Sequence, residues 1–174
     1  MNFDDLPPAE VMWAGKFVRA IRRGKWEYAS RANDVGAVVI LAEYEGKVIL
    51  VDQPRVPLGR RSLELPAGLV GDIDPNATVE ATAVKELEEE TGFTAAHIER
   101  LGEFYASPGM VSEGFTLVRA TGLTKVGEGG GDDSEDINVH LVERAEIPAF
   151  IEQKRREGLA VDVKLLLFLN FQSA

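Results

Sequence analysis

The 174-residue chain has no cysteine, two histidines and few aromatic residues (7%). Without thiols it has no disulfide framework, no thiolate nucleophile and no cysteine-ligated metal. Long apolar runs are missing too. LLLFL at 165–169 falls far short of the ~20 residues that a membrane-spanning helix needs. The opening MNFDDLPPAEVMW lacks a basic segment followed by an apolar stretch, so a secretory leader is not expected; the reading is a cytoplasmic protein without a membrane partner. Positive charge is in short supply: 19 Lys and Arg stand against 29 Asp and Glu, a formal net charge of -10. A surface of that sign repels phosphate backbones, which argues against a nucleic-acid partner.

Apolar residues make up 45% of the chain, enough for one well-formed core at a length typical of a single domain. GKFVRAIRRGKWEYASR (15–31) is expected to form two short strands about Arg23-Gly24. GAVVILAEYEGKVILVDQPR (36–55) holds two β-branched runs joined at Tyr44-Glu45-Gly46-Lys47, a hairpin pattern. SLELPAGLV (62–70) reads as a strand stopping in a turn at Pro66-Ala67-Gly68, and GDIDPN (71–76) as a loop. Further strands are expected at 97–109, 115–121 and 137–143, a flexible acidic loop at 126–136, and closing helices over 145–158 and 161–172. Between these, Thr78 supplies an N-cap oxygen, Glu80 suits the positive end of the helix dipole, and Gly92 ends a helix defined by Val79, Ala83, Val84 and Leu87. Many strands around one such helix make a mixed α+β fold.

The crowded part of that helix is VKELEEETGF (84–93). At about 100° per residue, Glu86, Glu89 and Glu90 share one face within a turn while Glu88 points away. Like charges at these spacings cost a helix about 0.2–0.5 kcal/mol per pair. A solvated surface helix tolerates that cost. A divalent cation reverses it, because hard cations take oxygen ligands and sit between carboxylates and substrate phosphates. On the residues alone both readings stand.

The surrounding stretch GLVGDIDPNATVEATAVKELEEETGF (68–93) resembles the Nudix box, G-x5-E-x7-R-E-U-x-E-E-x-G-U with U an aliphatic residue. Lys85 through Phe93 match its second half apart from Lys for Arg and an aromatic last residue. Counted from Gly68 the loop is longer than the pattern, and the first box Glu falls on Ala77. Lys85 keeps the charge of the family Arg but loses its planar fork. Glu80, one turn further on, is the candidate to replace the missing carboxylate. Outside the box, VILVDQPRVPLGRRSLELPAG (48–68), SPGMVSE (107–113) with Pro108, SEDINVHLV (134–142) and GKWEYASR (24–31) are similar to the ADP-ribose pyrophosphatase branch of that family. Taken singly, such an Arg is more often solvated and such a Trp more often core.

This resemblance implies an α+β fold: a Nudix-type α/β/α sandwich over 36–174 with an additional N-terminal antiparallel strand region over 1–35, exchanged within a homodimer. It implies Mg²⁺, with Mn²⁺ as the other candidate, held by the Ala67 carbonyl and by Glu86, Glu89, Glu90 and Glu135. Arg31 and Arg55 match positions that contact a diphosphate, Trp26 one that stacks on adenine, and Glu113 one on the ribose side or a bridging water. Glu89, Asp133 and Glu135 are the implied catalytic carboxylates, Asp133 standing where a relative carries its general base. Glycines 129–131 are read as letting the acidic loop close over substrate. The implied activity is Mg²⁺-dependent hydrolysis of ADP-ribose, a small nucleotide sugar, to AMP and ribose 5-phosphate. The alternatives are another nucleoside diphosphate sugar such as GDP-mannose, or ADP-ribose binding without turnover.

Overall fold

The β-branched runs at 36–55 form adjacent strands, β4 (Gly36–Tyr44) and β5 (Lys47–Arg55), of a chain whose computed structural model describes residues 2–33, 35–72, 74–132 and 135–169. The two-residue connection has Glu45 at φ 50 and Gly46 at φ 81, the left-handed pair that matches a hairpin to the twist of its strands. Val38 and Ile40 enter one core while Val39 between them enters another; Ile49 and its neighbours Val48 and Leu50 divide the same way. Both faces of these strands are covered, which is why the runs are continuously apolar instead of alternating.

β4 meets β5 only at Glu43↔Val48 and Tyr44↔Lys47. Its earlier residues pair instead with β7 (Ala67–Val70) and, in parallel, with β9 (Phe115–Lys125). β5 pairs on with β6 (Arg60–Glu64) and β10 (Asn138–Glu143). The eight-stranded sheet thus divides into two halves joined at the hairpin, with β8 (Phe93–Phe104) beside β9 and the short β11 (Ala160–Val161) beside β6. Helix α1 (Val79–Thr91) covers one core with Ala83 and Leu87; α2 (Ile147–Arg156) covers the other with Ile147 and Ile151. The result is the expected α/β/α layering. Thr78 and Gly92 cap α1 as expected: the Ala81 amide donates to Thr78 Oγ1 at 3.2 Å, and Gly92 adopts φ 75.

Four expectations need correction. A strand, β1 (Glu10–Ala14), forms in the Pro-rich start and pairs with β2 (Val18–Arg23), which pairs with β3 (Trp26–Arg31), giving a three-stranded N-terminal sheet instead of two strands. At Pro66 the chain does not stop in a turn; it leaves one half-sheet as β6 and enters the other as β7, with the Ile40 amide donating to the Pro66 carbonyl at 2.8 Å. β8 begins at Phe93, directly after the helix, and ends at Phe104, so residues 105–109 are not strand. The C-terminal segment is a 3₁₀ helix over Val163–Phe168 instead of an α-helix; the expectation for 170–172 falls outside the described residues. Leu165 and Phe168 are its buried pair, and a spacing of three puts both on one face of a 3₁₀ helix.

That register gives a direct test. Leu165 is 0% exposed and Leu166 46%. Leu165→Ala is expected to lower unfolding free energy by about 2–5 kcal/mol and Leu166→Ala by no more than about 0.5, measured by denaturant titration. Equal losses at the two positions contradict the register.

Candidate active site

The crossing at Pro66 brings Ala67 and Gly68 of β7 beneath α1. The Glu90 carboxylate, on a residue only 2% exposed, accepts a hydrogen bond from the Ala67 amide at 3.1 Å. Glu86, one turn earlier, lies flat on Gly68: a Cβ there would land on the Glu86 carboxyl carbon. Glycine at 68 is therefore required for space. Gly71 serves the backbone, at φ 89. Gly71 also stands six residues before Ala77, so the box pattern is in register when counted from it, correcting the count from Gly68.

Burial pushes Glu90 up to about 8, the Ala67 hydrogen bond partly opposing it and the charges of Glu86 and Glu135 adding to it. Burial pushes Glu86 up to about 7; Lys85 opposes this, and Glu89 and Glu135 reinforce it. These are carboxylates placed where negative charge is costly without a cation. Among the described residues no three acidic or histidine side chains converge closely enough to grip an ion as they stand. The donor set itself, carboxylate oxygens with their pKa values raised by burial and by one another, fits a hard divalent cation.

A cleft of about 700 Å³ opens from this floor, within the range of small-molecule sites. Seven of the expected residues line it: Arg31, Arg55, Ala67, Glu86, Glu90, Glu113 and Glu135. Its basic wall is neutralised within the chain. Arg31 Nε donates to Glu113, and Arg55 donates through Nε and Nη2 to both oxygens of Glu64, at 2.9 and 2.7 Å. Glu64, 5% exposed, was missed in the sequence. Its signal was an acid between Leu63 and Leu65: those two leucines point into the core, so period two turns Ser62 and Glu64 to the cleft. Lys164, paired with Asp162 at 2.8 Å on the cleft wall, left no comparable signal.

Other expected residues lie apart. Glu89 is exposed and paired with Lys85, off the cleft lining. Glu88 is exposed, as its angle on the helix required. Glu80 does not stand in for the acid missing at Ala77: Arg100 of β8 holds it by two hydrogen bonds, at 2.6 and 3.0 Å, and draws its pKa down to about 2. Trp26 lines a separate cavity of about 430 Å³ with Tyr28 and Pro108. Alternation along β3 explains the separation, since Trp26 and Tyr28 share one face and Arg31 the other. Asp133 lies outside the described residues. The glycines of the acidic loop meet the end of α1. Gly130 and Gly131 donate to the carbonyls of Glu90 and Glu89, at 2.9 and 3.0 Å, and a Cβ at Gly129 would strike the Thr91 backbone. Glycine is needed there because the loop lies against the end of α1.

Comparison with known proteins agrees with this architecture. The NUDIX domain family model matches residues 32–160. An ADP-ribose pyrophosphatase of Bacillus subtilis is 47% identical over 79 residues, which is 45% of this chain and 41% of that protein. The matched segment thus spans less than half of that relative. A GDP-mannose pyrophosphatase of Cronobacter sakazakii is 36% identical over 160 residues, covering 85% of this chain and 77% of the relative. A crystal structure of an ADP compounds hydrolase superposes with TM-score 0.69 at 22% identity, covering 94% of this chain and 90% of the other. That likeness speaks for the fold.

The raised carboxyls set a pH dependence of stability. Between 4.5 and about 8 the folded protein keeps protons on Glu86 and Glu90 that the unfolded chain has released. Their contribution is complete below 4.5 and is lost as pH rises through about 7 and 8. With chelator present, the melting temperature is expected to fall between pH 6 and 8.5; Mg²⁺ is expected to restore it at the upper end by binding the folded state alone. In Glu90→Gln the fall flattens. A melting temperature that rises with pH over this interval contradicts the assignment.

Proposed function

The chain belongs to the NUDIX domain family, and from that premise we propose that it is a divalent-cation-dependent pyrophosphatase of nucleoside diphosphate sugars, with ADP-ribose split into AMP and ribose 5-phosphate. The observation that carries the reading is the cleft itself: a buried carboxylate, Glu90, and a half-buried one, Glu86, line a space of about 700 Å³ together with Arg31 and Arg55.

Each residue has a stated task. Glu86, Glu90, Glu135 and the Ala67 carbonyl would hold the divalent cation, with Glu89 as a further carboxylate donor. Arg31 and Arg55 take the diphosphate oxygens, since a guanidinium fork matches two oxygens at once. Glu113 and Glu64 keep these arginines aimed until substrate phosphates compete for them. A bound divalent cation supplies charge neutralisation at the phosphate oxygens and acidifies water. The water oxygen bonds to one phosphorus, the anhydride P–O bond breaks, and the departing phosphate carries the electron pair. A loop carboxylate, Asp133 or Glu135, accepts the water proton, a contribution of about 10²–10⁴-fold.

GDP-mannose is the second reading. It is favoured by the GDP-mannose pyrophosphatase relative, whose match covers 85% of this chain where the ADP-ribose pyrophosphatase match covers 45%. The N-terminal sheet supports a homodimer in either case. Every residue of β1 is exposed, Trp13 at 60%, and Trp26 faces away from its own chain's cleft. Exchange of this sheet would bring Trp26 to a base bound in the partner.

Release of the nucleoside monophosphate, AMP from ADP-ribose or GMP from GDP-mannose, should be measured from a panel of nucleotide sugars with Mg²⁺. ADP-ribose is expected to give the highest kcat/KM and Glu90→Gln to lower it by at least about 100-fold, the upper end of what loss of a supporting group does to a metal site. Preference for GDP-mannose would shift the substrate; tight ADP-ribose binding without turnover of any panel member would falsify the enzyme reading. Light scattering is expected to return twice the 19.0 kDa chain mass, and a mass of one chain would refute the exchange.

A further inference from the structure

The loop that carries Glu135 is held at both ends, and downstream, ahead of β10, Arg61 grips it at Asp136. Arg61 on β6 spends its whole guanidinium on two aspartates. Nε donates to the Asp52 carboxylate, Nη1 to Asp136 Oδ2 at 2.7 Å, and Nη2 to the main-chain carbonyls of Asp52 and Asp136, each at 2.8 Å. Asp52 is 3% exposed and is fixed from β10 as well: Asn138 donates to it at 3.0 Å, and His140 Nε2 lies 2.6 Å from its other oxygen. Burial pushes the Asp52 carboxyl up, but the hydrogen bonds from His140, Arg61 and Asn138 prevail and hold it below the ordinary range. Arg61 therefore rests on a buried, ionised base tied into β5 and β10.

Upstream, the loop is tied to the helix that bears the cleft carboxylates. Val126 and Gly127 donate to the Gly92 carbonyl, Gly130 to that of Glu90 and Gly131 to that of Glu89; the Ile137 amide returns to the Gly130 carbonyl at 3.2 Å. Between the two ties the Asp132 amide donates to the Glu135 carboxylate at 3.2 Å and the Glu135 amide to the Asp132 carbonyl at 3.0 Å, and Glu135 stands next to the Arg61 contact. Its carboxylate faces the cleft and is near enough to raise the pKa values of both Glu86 and Glu90.

We infer that Arg61 is a positioning residue, which sets the Glu135 carboxylate over the cleft by clamping the Asp136 main chain to the buried Asp52. The inference rests on the proposed hydrolase reading. A role in stability alone does not account for the outward arm. The Asp136 side chain is 71% exposed, and ion pairs at that exposure contribute little to folding. A grip on the Asp136 carbonyl fixes a backbone. Lys in place of Arg keeps the charge beside Asp52 but lacks the fork that reaches both aspartates at once.

The test has one arm that needs no turnover. In Arg61→Lys, hydrogen exchange at the Gly130, Gly131 and Ile137 amides is expected to accelerate at least about 10-fold while the α1 amides stay protected. Unchanged exchange at these amides overturns the clamp. In the activity arm, with the best substrate of the panel, Arg61→Lys is expected to lower kcat about 10–100-fold with KM within about 3-fold, and to raise the Mg²⁺ concentration for half-maximal rate. In a Glu135→Gln background the same change is expected to cost little more, because the two act as one unit. Full additivity, or an undiminished kcat, overturns the inference. Should Arg61→Lys not fold, Arg61→Gln answers the same questions; Asp136→Ala, which keeps the grip on the main-chain carbonyl and loses only the side-chain arm, is expected to lower kcat by less than the Arg61 change while the melting temperature holds. If the wild-type chain turns over no panel member while the exchange result stands, the proposed function fails and the clamp survives it.

Discussion

A buried carboxylate, Glu90, and a half-buried one, Glu86, are the constraint around which this molecule is arranged. Glu86 and Glu90 stand one turn apart on α1 and press onto the backbone of Ala67 and Gly68. Burial and neighbouring acids both disfavour their charge, so the folded protein holds their protons up to about 7 and 8. Such an arrangement persists only if packing over-determines it. Ala83 and Leu87, on the core side of the same helix, pack in one core with Val38 and Ile40 of β4 and Phe93 of β8, and the strand crossover at Pro66 puts Ala67 and Gly68, small enough for close approach, beneath the acids. The core fixes the helix, and the helix forces the acids into the cleft.

The rest of the cleft is built on charge balance. Arg31 with Glu113 and Arg55 with Glu64 face the acidic floor as pre-paired ions. An arginine already hydrogen-bonded to an acid is aimed and partly desolvated, so less side-chain freedom is lost when a phosphate replaces the acid. The acids also keep the cleft from carrying a bare positive wall over a negative floor. By contrast Glu80 and Glu89, on the same helix, are spoken for by Arg100 and Lys85 and stay at the surface. Sequence spacing made these glutamates look alike; their cationic partners separate them.

The acidic loop shows the same logic in the backbone. Its glycines read naturally as a source of freedom, and in the structure Gly129 serves close approach to the helix end. The last carbonyls of a helix need donors, and here loop amides supply them. The loop's course thereby becomes a property of the helix terminus that carries Glu89 and Glu90, and its far end a property of the buried Asp52 network.

The sequence by itself determined the elements whose cause is local. Continuous β-branched runs required strands covered on both faces, Thr78 and Gly92 bounded α1, and a 100° advance per residue turned Glu88 outward. The box pattern likewise pointed to Glu86 and Glu90 before any contact was known. What depended on long-range partners could not be read along the chain. The crossover at Pro66, the third N-terminal strand, and the 3₁₀ rather than α-helical course of Val163–Phe168 were decided by neighbours distant in sequence. So were the partners of the charged residues: Glu64 with Arg55, Glu80 with Arg100, Arg61 with Asp52 and Asp136. A charge shows its type in the sequence, but its role depends on which opposite charge the fold brings within about 3 Å, and only the tertiary structure makes that choice.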